Sequence, residues 1–129
     1  MQVDIFPGSG KVNVTGPKKN IKNIGVPASS TYEYYIQAIS EKSLPWLIPS
    51  EIYEEDLPEL LILSAGYDAL EEDPMASVSL KAEDFGEICK LVNDACETKG
   101  IPVIGGLEGG YSLSQLPVAV ASALKAFSS

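Results

Sequence analysis

Histidine and arginine are absent from the 129 residues of this chain. Without histidine, its own residues cannot form a Ser-His-Asp triad, a Cys-His pair or a histidine-containing zinc site. The formal net charge of −9 argues against direct contact with nucleic acid, whose phosphates require positive partners. The segment Gly8–Lys11 is similar to a phosphate loop, but Ile5 and Val12 occupy positions that need glycine and Ser or Thr. Nucleotide binding at this segment is therefore excluded.

Long apolar runs and paired cysteines are also lacking. No run approaches the ~20 residues that span a membrane, and no basic start precedes an apolar stretch as in a secretory signal. Cys89 and Cys96 would lie about 10 Å apart along a helix axis, too far for a disulfide. We therefore expect reduced, half-buried thiols, no membrane contact, and an intracellular location, nuclear or cytoplasmic.

The densest apolar segment of the chain lies before Ser64. Five of the seven residues from 57 to 63 are apolar and do not alternate with polar residues, which predicts a strand over 60–64 covered on both faces, as in a parallel sheet. Tyr67 and Asp68 then follow at the carboxyl end of this strand, the edge at which open α/β sheets bind ligands. An aspartate there is either a loop or helix-capping residue, or a metal ligand or general base.

Hydrophobic periodicity and turn residues divide the chain into further elements. They are strands over 21–27 and 101–104 and helices over 31–40, 81–99 and 112–127. Ser30 and Glu33 are spaced as a capping box for the first helix. Ser112 or Ser114 is expected to cap the last helix, with Pro117 in its first turn. The order strand, helix, strand, helix from residue 60 onward predicts a right-handed α/β unit with a parallel pair.

Chemistry-bearing side chains follow both strands of the predicted parallel pair. Asp68 comes after Gly66, and Tyr111 comes after Gly109-Gly110, where the backbone can turn sharply or approach a ligand. Because neighbouring parallel strands end at one edge, we expect the two side chains to lie near each other. A carboxylate suits a metal ion and a phenol suits an oxyanion. Together they indicate an active site, although each alone is typical of an ordinary turn.

Four motifs at these positions resemble the zinc-dependent histone deacetylases, a family that includes acetylpolyamine amidohydrolases and acetoin-utilisation proteins. The motifs are FPGSG at 6–10, SAGYDA at 64–69, DPM at 73–75 and LEGGY at 107–111. The resemblance runs from Asp4 to Phe127. It implies a three-layer α/β fold with a parallel sheet and helices on both faces. Residues 1–129 would be the carboxyl-terminal part of a single, incomplete domain of this type.

The resemblance also implies roles for individual residues. Asp68 would bind the catalytic zinc, and Tyr111 would polarise the amide carbonyl and stabilise the tetrahedral oxyanion. Phe6 and Met75 would line the tunnel for the acyl-lysine side chain, with ordinary core packing as the alternative. The pair Gly109-Gly110 would position the tyrosine.

The chain departs from the family pattern in residues that the chemistry requires. The family's other two zinc ligands and its adjacent catalytic histidines are absent, and in the family they precede the FPGSG motif. Asp73 and Pro74 match a structural turn without a catalytic role. We therefore expect the chain alone to hold no catalytic zinc and to be inactive, whereas the full-length enzyme would contain zinc. A sheet that lacks the preceding strands would also have an unpaired apolar edge and marginal stability.

Three functions are compatible with these residues. The first is the carboxyl-terminal portion of a deacetylase acting on acetylated lysine in a protein, such as a histone, or on an acetylated polyamine. Its other partner would be the missing amino-terminal half of the domain. The second is an inactive deacetylase-like module that acts through protein contacts. The third is a different α/β enzyme that uses Asp68 and Tyr111 without a metal. Retention of both residues favours the first.

Overall fold

A two-stranded parallel sheet forms the frame of the computed structural model, which describes residues 10–75 and 78–128. Strand β1 (Leu61–Ala65) pairs with strand β2 (Val103–Leu107) in register, so that the first and the last residues of the two strands lie opposite each other. The predicted parallel pair is confirmed. The predicted strand over 21–27 is wrong: the Asn23 side chain donates to the carbonyls of Lys11 and Val14, which ties this segment to the preceding loop.

Four α-helices and two short helical turns accompany the sheet in the described ranges. They are α1 (Tyr32–Ala38), a π-helical turn (Ile39–Ser43), α2 (Leu44–Leu47), a 3-10 turn (Glu54–Asp56), α3 (Asp84–Glu97) and α4 (Leu116–Ala126). The first three are continuous, so the helix predicted to end at residue 40 extends to Leu47. None of the helices in the described ranges has the length and apolar character needed to cross a membrane.

The predicted helix caps are wrong, because their side chains bond elsewhere. The Ser30 hydroxyl donates to the Pro27 carbonyl at 2.7 Å, and helix α1 has no side-chain cap. Ser112 and Ser114 share a hydrogen bond between their hydroxyls at 3.4 Å, and helix α4 begins after Gln115 without a side-chain cap. Pro117 lies in the first turn of α4, as predicted.

One face of the sheet carries the hydrophobic core. Leu63 and Ala65 pack against the cluster formed with α3 and α4, and Leu61 packs against the carboxyl-terminal part of α3. The alternate residues Ile62 and Ile104 are 72% and 58% exposed. In the described ranges, the prediction that β1 is covered on both faces therefore holds for one face only. We call the exposed side the open face.

The two cysteines lie in the core. Cys89 and Cys96 are free thiols, as predicted, and both are buried rather than half-buried. Burial raises the pKa of each thiol, because the low-dielectric interior disfavours the thiolate. The thiols are therefore packing residues of low reactivity.

Helices α3 and α4 are in close contact at Gly86. A Cβ atom at this position would lie 3.1 Å from the Ser122 carbonyl oxygen and would overlap the Ser122 hydroxyl. Glycine costs a helix interior up to ~1 kcal/mol relative to alanine. Here the missing side chain lets the two helices approach each other.

Gly86→Ala is therefore expected to destabilise the chain by about 1 kcal/mol, since overpacking costs ~1–3 kcal/mol and helix propensity returns up to ~1. Urea unfolding followed by circular dichroism measures the change. Adding Ser122→Ala should recover part of the loss, because it removes the overlapping hydroxyl. A stabilising Gly86→Ala would show that the helix contact is not tight.

Candidate functional site

The loops that follow β1 and β2 are hydrogen-bonded to each other. The Glu108 N–H donates to the Ala65 carbonyl at 3.0 Å, and the Tyr67 N–H donates to the Gly109 carbonyl at 2.7 Å. On the open face, the Ser64 hydroxyl donates to the Glu108 carboxylate at 2.9 Å. The parallel pairing thus continues beyond the strands and places the loop of Asp68 beside the loop that leads to Tyr111.

The Asp68 carboxylate lies against the glycines of both loops. A Cβ atom at Gly109 would be 3.1 Å from one carboxylate oxygen of Asp68, and a Cβ atom at Gly66 would be 3.0 Å from the other. Within 10–75 and 78–128, Asp68 forms no hydrogen bond or ion pair with another residue. It therefore caps no helix or turn in these ranges, and its oxygens are free to accept a ligand.

Asp73, five residues further on, has the opposite environment. Its side chain is 5% exposed, and both carboxylate oxygens are used. One accepts the Met75 N–H at 2.9 Å, and the other accepts the Tyr111 N–H at 2.7 Å. The sequence predicted a local turn here; the structure adds a bond to the second loop, 38 residues away.

The tyrosine loop packs on the core through Gly110. Its φ is +141°, and a Cβ atom there would lie 2.9 Å from the Tyr67 Cβ and 3.0 Å from a methyl group of Leu116. Tyr67 is buried and stacks on Phe85, with ring centroids 4.9 Å apart. Tyr111 itself is 56% exposed. The loop thus packs on the buried Tyr67 through Gly110, and the side chain of Tyr111 is accessible to solvent.

The structure describes one of the two predicted tunnel residues, Met75. Met75 is 66% exposed, so it is not a core residue in the described ranges. Phe6 lies outside the described residues.

Tyr35 of helix α1 is a neighbour of the site that the sequence did not reveal. It lines a cleft of about 220 Å³ together with Asp68, Leu63 and Phe85. Burial raises the pKa of Tyr35, and the negative charge of Asp68 raises that pKa further. In the sequence, Tyr35 lies within the helix predicted over 31–40, and that prediction does not identify the strand-end residue that Tyr35 approaches.

Asp68→Asn is expected to lower the pKa of Tyr35, because removal of a negative charge makes the tyrosinate easier to form. The pKa should remain above its ordinary value, since burial is the larger cause. Titration of the tyrosine ring carbons by NMR measures the shift. Tyr67 is the internal control: burial and Cys89 raise its pKa without a contribution from Asp68. An unchanged Tyr35 pKa, or an equal change at Tyr67, would contradict the coupling.

The described residues do not by themselves fit a catalytic zinc site. Such a site uses three protein ligands and one open position. Within the described ranges, no three Asp, Glu, Cys or His side chains come together in a suitable arrangement, and the sequence has no histidine. Asp68 can contribute one ligand.

Comparisons with known proteins give the family. The family model of the histone deacetylase domain matches residues 1–127. An uncharacterized protein of Synechocystis sp. is 36% identical over 124 residues, which are 96% of this chain and 38% of that protein. Type-2 histone deacetylase 2 of Dictyostelium discoideum is 33% identical over 120 residues, which are 85% of this chain and 6% of that protein.

A solved structure gives the fold. Acetylpolyamine aminohydrolase from Burkholderia pseudomallei matches 96% of this chain and 34% of its own chain, with a TM-score of 0.77 and 22% identity. The predicted deacetylase-like α/β fold with a parallel sheet is thus confirmed, as a partial domain. The chain spans 38% or less of each of these three relatives. With the matched motifs, the paired strand-end loops and this shared fold, the chain belongs to the histone deacetylase domain family.

Proposed function

We propose that this chain is the carboxyl-terminal part of a deacetylase domain, and that the complete domain hydrolyses the amide of acetylated lysine or of a related acetylated amine. One observation carries the proposal. A free carboxylate, Asp68, and an accessible phenol, Tyr111, belong to loops that are hydrogen-bonded to each other at one edge of a parallel sheet. The family and the names of its relatives support the same reaction class.

Tyr111 donates its phenol O–H to the substrate. When water adds to the acetyl carbon, negative charge develops on the carbonyl oxygen, and a donor fixed in advance stabilises this oxyanion. Collapse of the intermediate breaks the C–N bond and releases acetate and a free amine. The 56% exposure of Tyr111 leaves its hydroxyl accessible to a substrate in this position.

Asp68 supplies one ligand to the zinc ion on which this family generally depends. The remaining ligands and the histidine base come from outside this chain, which has no histidine. We assign Met75 to the path of the substrate side chain, and the family resemblance implies the same role for Phe6. The formal net charge of −9 favours the approach of cationic substrates, a class that includes lysine-rich segments and polyamines.

A second candidate function is an inactive module that binds other proteins through the open face. Ile62 and Ile104 are exposed there side by side, since they are partners in the sheet register. In a deacetylase domain, the same face is available to the rest of that domain. The open face alone therefore fits both functions. A measurement of deacetylase activity distinguishes them.

The test joins this chain to the portion of the Synechocystis relative that it does not match; we call this protein the reconstituted enzyme. With zinc added, it is expected to release acetate from an acetyl-lysine peptide or from an acetylated polyamine, and the separate chain is expected to release none. Circular dichroism verifies folding. A folded reconstituted enzyme that cleaves neither substrate would overturn the deacetylase proposal and favour the binding module.

A further inference from the structure

We infer that Asp73 is a positioning residue for Tyr111: its buried carboxylate accepts the Tyr111 N–H and thereby fixes where the phenol lies. The inference rests on the proposed function for its catalytic consequence, but the hydrogen bond itself is independent of that function. The turn in which Asp73 lies gave no indication of this role.

The geometry makes Asp73 the connection between two segments of the site. Its two oxygens bind the backbone of Met75, in its own loop, and the backbone of Tyr111, in the loop after β2. The bond to Tyr111 is 2.7 Å long, in the range of charge-assisted hydrogen bonds. One carboxylate therefore fixes the backbone of Met75, the predicted tunnel residue, relative to the backbone of Tyr111, the predicted oxyanion donor.

The Tyr111 side chain depends on this backbone anchor. Within 10–75 and 78–128, its hydroxyl forms no hydrogen bond with another residue, and the side chain is 56% exposed. Its position is consequently determined by its backbone, which is held by the bond to Asp73 and by the close packing of Gly110 on Tyr67. Because oxyanion stabilisation requires the donor within hydrogen-bond distance of a defined point, a small displacement removes much of its effect.

A carboxylate is required because two N–H donors meet one side chain. An ionised aspartate offers an acceptor to each, whereas asparagine has one acceptor oxygen and adds two donors of its own. Asp73→Asn therefore keeps the size of the side chain but places a donor against one of the two N–H groups. Burial makes this mismatch costly, since no solvent replaces the lost acceptor.

The first experiment uses the 129-residue chain itself, first unsubstituted and then with Asp73→Asn. NMR should detect a scalar coupling across the hydrogen bond between the Tyr111 amide nitrogen and the Asp73 carboxyl carbon. In Asp73→Asn, hydrogen exchange at the Tyr111 amide should accelerate by roughly 10- to 100-fold, as expected for loss of a charge-assisted bond. A wild-type chain without the coupling would overturn the inference, whether or not the variant folds.

The matched control is Asp84→Asn. Asp84 also accepts a backbone N–H, from Lys81 at 2.8 Å, but Asp84 is half-buried, its hydrogen bond is exposed, and it lies at the start of α3. This variant should leave the exchange rate of the Tyr111 amide unchanged. Equal acceleration in both variants would indicate general loosening and would contradict a specific bond to Tyr111.

The second experiment separates positioning from a general structural role. In the reconstituted enzyme, Asp73→Asn should lower kcat by roughly 10- to 100-fold, the order expected for a misplaced catalytic group. It should lower kcat little further when Tyr111→Phe is already present, because both changes remove one interaction. A full additional loss in that background would overturn the inference. If Tyr111→Phe alone leaves turnover unchanged, the proposed function is wrong, and the NMR coupling alone decides whether Asp73 fixes Tyr111.

Discussion

Replacement of Tyr111 by phenylalanine in the reconstituted enzyme is expected to lower kcat by about 10²- to 10³-fold, the loss typical of one oxyanion donor. The amide oxygen carries little charge in the bound substrate and full charge in the tetrahedral intermediate. A hydrogen bond to it is therefore stronger in the transition state than in the ground state, so KM should change little. Acetate release under saturating substrate measures the effect.

Two controls make this result specific. The zinc content of the Tyr111→Phe protein should equal that of the unsubstituted protein, because the proposed zinc ligand is Asp68. Tyr53→Phe should have no effect on turnover. Tyr53 is 76% exposed and precedes the amino end of β1, whereas Tyr111 follows the carboxyl end of β2. Unchanged turnover in Tyr111→Phe would refute the oxyanion role. A loss accompanied by loss of zinc would indicate a disturbed site rather than a missing donor.

The parallel pair and its site edge were predictable because their causes are local in sequence. The apolar run before Ser64 and the apolar residues after Gly100 each predict a strand, and the helix between them requires a parallel connection. Strand direction then places Asp68 and the tyrosine loop at one edge. The hydrogen bond between the Tyr67 N–H and the Gly109 carbonyl is the result of that topology.

The polar contacts of the site were not predictable, because several partners compete for each group. Ser30 had the spacing of a helix cap, but the nearby Pro27 carbonyl takes its hydroxyl. Asp73 had the sequence of a turn, and its bond to Tyr111 depends on how two distant loops meet. Tyr35 reaches the cleft of Asp68 only through the packing of α1 on the core beside α3. Such contacts follow from tertiary structure rather than from local pattern.

The open face also explains one error of interpretation. A continuous apolar run predicts that both faces of a strand are buried in the complete fold, but it does not identify the segment that covers each face. Within the described residues, Leu63 is covered by the helices and Ile62 is exposed. The run therefore fits the complete domain, of which this chain is a part.

Gly110→Ala is expected to destabilise the chain by roughly 2–6 kcal/mol, through backbone strain of ~1–3 kcal/mol and overpacking of similar size. The φ of +141° is a conformation that residues with a side chain rarely adopt. The new methyl group would also lie 2.9 Å from the Tyr67 Cβ and 3.0 Å from the Leu116 methyl. Urea unfolding of the chain measures the loss. Gly105→Ala is the matched control, because a Cβ atom there meets nothing within 4 Å.

The direction in which this strain is relieved determines its effect on the site. Tyr67 is 5% exposed and stacks on Phe85, so its side chain has little room to move. We therefore expect the loop to shift away from the core, and this displacement of the residue next to Tyr111 is expected to disturb the bond from the Tyr111 N–H to Asp73. Faster hydrogen exchange at the Tyr111 amide should accompany the loss of stability in Gly110→Ala and be absent in Gly105→Ala. If Gly110→Ala were as stable as the control, the close packing of Gly110 on Tyr67 would be wrong, and Tyr111 would rest on Asp73 alone.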